Sequence, residues 1–165
     1  MQQIEKNATF GKAETMHRYE IASTIDRLSQ SDILLGNIKA YDQLIGIKLN
    51  ISPYFLSNGK ICIDVALSTV PFDSYEEPWA KLSCTLDCVK MNELKDYEFF
   101  VKTWSENTSW VGQMLQFPQI EDTGKEFDHA FWRGCPIWRI NPDKICPEPF
   151  HNHHDGCPLQ EECPA

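Results

Sequence analysis

The chain predicts an α+β fold, an antiparallel sheet of about five strands with one packed helix, preceded by a helical hairpin and followed by an irregular tail rich in cysteine and histidine. Two observations carry this expectation. Apolar residues recur with a period of two in several separate runs, and with helical spacing only near the start and once beyond residue 109. Gly, Pro and Asn mark the joins between the runs.

In order along the chain, residues 14–30 place Ile21, Ile25 and Leu28 on one helical face, and Ser31-Asp32 offers a cap for a second short helix through Leu34, Leu35 and Ile38. From Ile45 the period falls to two, through Ile47, Leu49 and Ile51, and the run from Lys60 to Val70 alternates likewise through Ile61, Ile63, Val65 and Leu67. Asn58-Gly59 between these runs is a hairpin signal, because both residues tolerate positive φ. After an acidic loop from Pro71 to Pro78, Ala80, Leu82, Cys84, Leu86 and Cys88 alternate with polar residues as a third strand. Residues 97–104 read as a fourth strand. Trp110, Met114 and Phe117, with Val111 and Leu115, form the stripe of a helix ended by Pro118, and Pro136–Ile140 supplies the last short strand. The expected core joins Ile47, Leu49, Ile61, Ile63, Val65, Leu82, Cys84 and Leu86 to the Trp110 stripe.

A length of 165 residues fits one domain able to bury its own core, residues 1–145 with a helical extension at 1–44, and leaves 146–165 as an appended tail. No apolar run approaches the length needed to cross a bilayer, and no basic segment followed by an apolar run opens the chain, so a cytoplasmic location is expected. The net charge of −9 is one-sided: residues 1–72 hold seven acids and seven bases, residues 73–165 seventeen acids and eight bases. Such a field opposes binding to nucleic-acid phosphates and to anionic membrane and favours a partner with a basic surface. Asp73, Glu76, Glu77, Asp87, Glu93, Asp96 and Glu98 are the acids expected to form that negative patch. Simple solubility is the plainer role for the same charge.

Several short motifs recur together between residues 50 and 140. They are Tyr54 with Asn58-Gly59-Lys60-Ile61-Cys62-Ile63, Glu77-Pro78-Trp79-Ala80, Phe99-Phe100-Val101-Lys102-Thr103 before an aromatic helix, Thr123-Gly124, and Pro136-Ile137-Trp138. In these the chain resembles a family of uncharacterised proteins carried by plasmids, conjugative elements and phages of gut bacteria. It departs from that pattern in its N-terminal helical extension, its Ser105–Thr108 turn and its tail. The resemblance implies an accessory protein of a mobile genetic element, one that disarms a host defence; the acidic charge adds the expectation that it does so by occupying a basic site on a host protein.

The tail is the most chemically specific segment. Cys146, Cys157 and Cys163 with His151, His153 and His154 supply the sulfur and nitrogen donors that tetrahedral zinc prefers, and a structural zinc is the cofactor expected there. Their spacing lacks the paired C-x2-C knuckles of familiar zinc modules, so a merely thiol-rich tail, or a disulfide from Cys146 to Cys157 or Cys163, stays open beside it. Seven cysteines is an odd number, which argues against a complete disulfide framework, and Cys62, Cys84 and Cys88 lie in apolar runs as small hydrophobes. A thiol hydrolase built from Cys135 or Cys84 with His129 and Asp128, or a metal hydrolase in the tail served by Asp155, Glu161 or Glu162, is the enzymatic alternative. No phosphate-cradling glycine loop is present, and the aromatics are interleaved with acids rather than bases, which points to core packing instead of base stacking.

Overall fold

The period-two runs assemble into two four-stranded antiparallel sheets rather than one sheet of five. The structure is a computed structural model that describes residues 2–70, 77–127 and 134–145, with the backbone alone for 2–15 and 77. The first sheet has the order β1(Ile33–Ala40), β2(Gln43–Phe55), β3(Ile61–Thr69), β4(Glu77–Lys81); the second runs β5(Ser83–Cys84), β6(Glu98–Val101), β8(Cys135–Ile140), β7(Ile120–Phe127).

One long helix, α1(Gln2–Ser29), stands where a helical hairpin was expected. Ile21, Ile25 and Leu28 are its buried stripe, as their spacing predicts. It stops in a serine-rich turn, where Ser29 Oγ donates to Asp26 O and Ser31 Oγ to Arg27 O, both at 2.7 Å, so that carbonyls of the last turns find partners. The segment expected to form a second helix is strand β1. Its Leu34 and Ile38 lie opposite Lys48 and Ile45 of β2, and the reversal falls on Tyr41 and Asp42, both with positive φ (52° and 62°). That is the backbone of a two-residue hairpin turn, reached here without the glycine that usually announces it.

The β2–β3 pairing runs from Ile47–Thr69 to Phe55–Ile61, with Ile47, Leu49, Ile51, Ile63, Val65 and Leu67 buried on one face. Asn58-Gly59 does mark the join, but in a five-residue loop closed by Leu56 N–H to Lys60 O (2.9 Å) and Gly59 N–H to Leu56 O (3.0 Å), and only Gly59 has positive φ (89°).

The expected third strand is split between the sheets. Leu82 is the crossing point: its N–H donates to Val65 O of the first sheet at 2.9 Å, and its carbonyl accepts from Lys102 N–H, just past β6, at 2.8 Å. Asn107, fully buried, fastens the same crossing by donating to Lys81 O and Lys102 O at 2.7 and 2.9 Å. After β5 the chain leaves the ladder for the single-turn helix α2(Cys88–Met91). The aromatic stripe is a 3-10 helix, Val111–Gln116, rather than an α-helix, yet Trp110, Met114 and Phe117 are buried as expected. Trp110 meets Trp79 of β4 at a ring-centroid distance of 4.6 Å. Ile61 is only partly buried, and Cys84 and Leu86 pack into a second cluster around Phe100, Cys135 and Ile137. Strand β7 has no counterpart in the sequence reading; it is a polar edge strand broken by a bulge between Asp122 and Lys125, with Gly124 at φ 78°.

Candidate functional site

Four of the acids expected to bind a partner fall on one stretch, three between β5 and β6 and Glu98 at the start of β6, and the fold sorts them by exposure. Asp87 caps α2: its Oδ1 accepts from Lys90 N–H at 3.1 Å and its Oδ2 pairs with Lys90 Nζ at 3.0 Å. The hydrogen bond from the Lys90 side chain, then that from its backbone, holds the Asp87 carboxyl below the usual carboxylate range. Glu93 and Asp96 are exposed. Glu98 is turned inward at 4 % exposure, where it accepts from Lys95 N–H at 2.7 Å and pairs with Lys125 Nζ at 2.8 Å, so it is held inside β6 and does not join the outward acids. Glu77 opens β4, while Asp73 and Glu76 lie outside the described residues. The expected zinc ligands Cys146, His151, His153, His154, Cys157 and Cys163 also lie outside them, as do Asp128, His129, Asp155, Glu161 and Glu162. Among the described residues no group of three or more metal-ligating side chains occurs.

The stretch carrying Glu93 and Asp96 is fixed by residues from two other elements. Lys60, at the end of the Asn-Gly loop, donates its ammonium to Asn92 O at 2.6 Å and to Leu94 O, gripping the backbone on either side of Glu93. Asn58 Nδ2 donates to Asn92 Oδ1 at 2.7 Å, and Asn58 Oδ1 accepts from Lys60 N–H at 3.0 Å. From α1, Arg18 Nη1 donates to Asn58 O at 3.3 Å and His17 Nε2 donates to Asp96 Oδ2 at 2.7 Å. Glycine suits position 59 because the backbone there has φ 89°, a conformation that L side chains rarely adopt, and a Cβ would also press on Arg18 Nη1 at 2.9 Å.

Together His17, Arg18, Asn58, Lys60, Asn92 and Asp96 line an open cleft of about 230 Å³ floored by Ile21. His17 and Asp96 have the geometry of a base and its orienting carboxylate, but the lining holds no Ser, Thr or Cys for them to activate, and Lys60 is occupied by two carbonyls. What the cleft presents is a set of rigidly held donors and acceptors beside two exposed carboxylates. His17, Arg18 and Asn92 were not singled out by the sequence. His17 meets Asp96 across 79 positions, a juxtaposition that no local pattern encodes.

Several basic side chains are already matched within the chain. Lys81, Lys90, Lys102, Lys125 and Arg139 are each matched to an acid, respectively Asp64, Asp87, Glu106, Glu98 and Glu121. Glu20, Asp26, Asp42, Glu93, Asp122, Glu126 and Asp143 are exposed with no ion pair among the described residues. No helix among the described residues is long and apolar enough to cross a membrane. Comparisons of the chain with protein-family models, with curated proteins and with solved structures find no match.

Proposed function

We propose that this protein acts without catalysis, as an acidic interaction protein that presents Asp87, Glu93 and Asp96 to a basic surface on a partner. The observation that carries the reading is the grip of Lys60 on the carbonyls of Asn92 and Leu94, which holds the unpaired Glu93 outward on a fixed backbone. Binding then requires little further ordering of that segment, and a pre-ordered charged edge gains in encounter rate and specificity. Asp73, Glu76 and Glu77 extend the same proposal toward β4. The setting belongs to it as well: a product of a mobile genetic element that occupies a basic site on a host protein suits the motif resemblance and the one-sided charge. A structural zinc in the tail, held by Cys146, Cys157, Cys163 and the intervening histidines, is compatible with this role and rests on donor chemistry alone.

The test is titration of a labelled lysine- and arginine-rich peptide against the wild type, the Glu93→Lys/Asp96→Lys pair, and a control pair, Asp122→Lys/Glu126→Lys on β7. The reading expects the first pair to weaken binding by about tenfold or more, with a steep salt dependence in the wild type, and the control pair to change it less than about threefold. Equal weakening by both pairs would reduce the effect to net charge and defeat the proposal.

A further inference from the structure

Two thiols outside the acidic stretch face each other across the second sheet. Cys84 ends β5 and Cys135 opens β8, the two strands that flank β6, and their sulfurs stand 4.0 Å apart. Cys135 is 2 % exposed, whereas Cys84 is partly open to solvent. The Cys135 thiol donates to Val101 O at 3.5 Å, a carbonyl that lies just beyond the last β6–β8 pair, Phe100–Ile137. A thiol carries one proton. With that of Cys135 on Val101 O, the contact between the sulfurs is Cys84 S–H donating to Cys135.

The proton affinities follow this direction. The hydrogen bond to Cys135, then burial, pushes the Cys84 thiol up, while the hydrogen bond received from Cys84 holds Cys135 below the usual thiol value. If Cys135 is the sulfur oxidised first, Cys84, 4.0 Å away, is the neighbour placed to resolve it. The other two described cysteines differ: Cys62 is buried with its thiol toward Met91 O at 3.7 Å, and Cys88 is exposed on α2.

We infer that Cys84 and Cys135 form a peroxide-sensitive dithiol that is oxidised to a disulfide. The Cys135 thiolate attacks one oxygen of hydrogen peroxide, a sulfur–oxygen bond forms as the oxygen–oxygen bond breaks, and hydroxide leaves to be protonated to water. Sulfur is oxidised to the sulfenic acid and the peroxide is reduced. Cys84 then attacks the Cys135 sulfur, the sulfur–sulfur bond forms, the sulfur–oxygen bond breaks, and the departing hydroxide takes the Cys84 proton as a second water. The sum is two thiols and one peroxide giving a disulfide and two waters. Closing the sulfurs to about 2 Å requires one side to move. Cys84 is that side, being partly exposed and the last residue of β5, after which the chain leaves the ladder.

The experiment treats the full chain with hydrogen peroxide, blocks remaining thiols by alkylation, and maps the peptides without reduction. The Cys84 and Cys135 peptides are expected to leave the alkylated pool together and to reappear as one cross-linked species that reduction separates. In Cys84→Ser, dimedone labelling of Cys135 should rise several-fold over wild type, because the resolving thiol is gone. Retention of both alkylated peptides while other cysteines oxidise, or a bridge from either one to a different cysteine, would overturn the inference. If Cys84→Ser does not fold, the wild-type map alone decides it.

Discussion

Gln113 closes the open edge of β1 at Lys39: its amide oxygen accepts from Lys39 N–H at 2.8 Å and its amide nitrogen donates to Lys39 O at 2.7 Å. One side chain thus supplies both hydrogen bonds that a neighbouring strand would make at this position. Gln116 adds a weaker bond from Nε2 to Asn37 O at 3.4 Å. An edge strand with unpaired backbone groups is a template for another chain, so this 3-10 helix guards the sheet as well as covering its core.

Removing that guard should be visible in association more than in stability. Gln113→Ala is expected to cost about 1 kcal/mol, because the freed Lys39 groups regain water, and to introduce concentration-dependent self-association. Denaturant titration and sedimentation velocity check the two effects. An Ala variant that stays monomeric over the whole concentration range would show that the edge needs no cap.

Trp110 is 1 % exposed and joins β4, through Trp79, to the core of the first sheet. Trp110→Ala should lower unfolding free energy by about 3–5 kcal/mol, the range for large aromatic truncations in cores. Urea denaturation followed by circular dichroism measures this, and a loss under about 1 kcal/mol would mean that the site collapses around the cavity.

Glu98 and Lys125 are unequal partners, since the carboxylate is buried and the ammonium is 44 % exposed. Lys125→Met strands a buried charge and should destabilise by about 2–4 kcal/mol, whereas Glu98→Gln/Lys125→Met should recover at least half of that loss. The double-mutant cycle in denaturant decides it: additive losses would place the cost in packing instead of charge.

Glu106, on the 3-10 turn Ser105–Asn107, has its carboxyl lowered from an ordinary 4.5 to about 2, first by the hydrogen bond from Lys102 and then by that from Ser105. A depressed folded-state value means that ionised Glu106 favours the native state. Its contribution is complete above the ordinary value and fades as pH falls from 4.5 toward 2. Solvent screening keeps it small. The stability difference between wild type and Glu106→Gln should therefore be constant near neutrality and shrink across that acidic window. A difference that stays flat down to pH 2 would remove Lys102 as the cause.

The proposed zinc in the tail makes a separate prediction. Protein purified without an affinity tag should carry about one equivalent of zinc, and chelation should raise hydrogen exchange within residues 146–165 while leaving the β2–β3 hairpin protected. Metal analysis that finds none, or a disulfide at Cys146, ends that reading.

The alternating runs of β2 and β3 were legible because the side-chain period of a strand is independent of what lies across it, and Ile47, Leu49, Ile63 and Val65 are buried as read. The same holds for Ile21, Ile25 and Leu28 on α1, and for the burial of Trp110, Met114 and Phe117. Local spacing could not distinguish a 3-10 from an α-helix at Val111–Gln116, nor a strand from a helix at Ile33–Ala40, where Tyr41-Asp42 makes a glycine turn without glycine. Strand β7 escaped because edge strands are kept polar. Composition and charge were sufficient to name the acids, but not to say that Glu98 points inward while Glu93 points out. That choice, like the meetings of His17 with Asp96 and of Cys84 with Cys135, was made only by tertiary structure. The two meetings join residues 79 and 51 positions apart, and such contacts arise from strand order and from how the helix lies on the sheet, which the one-dimensional pattern leaves open.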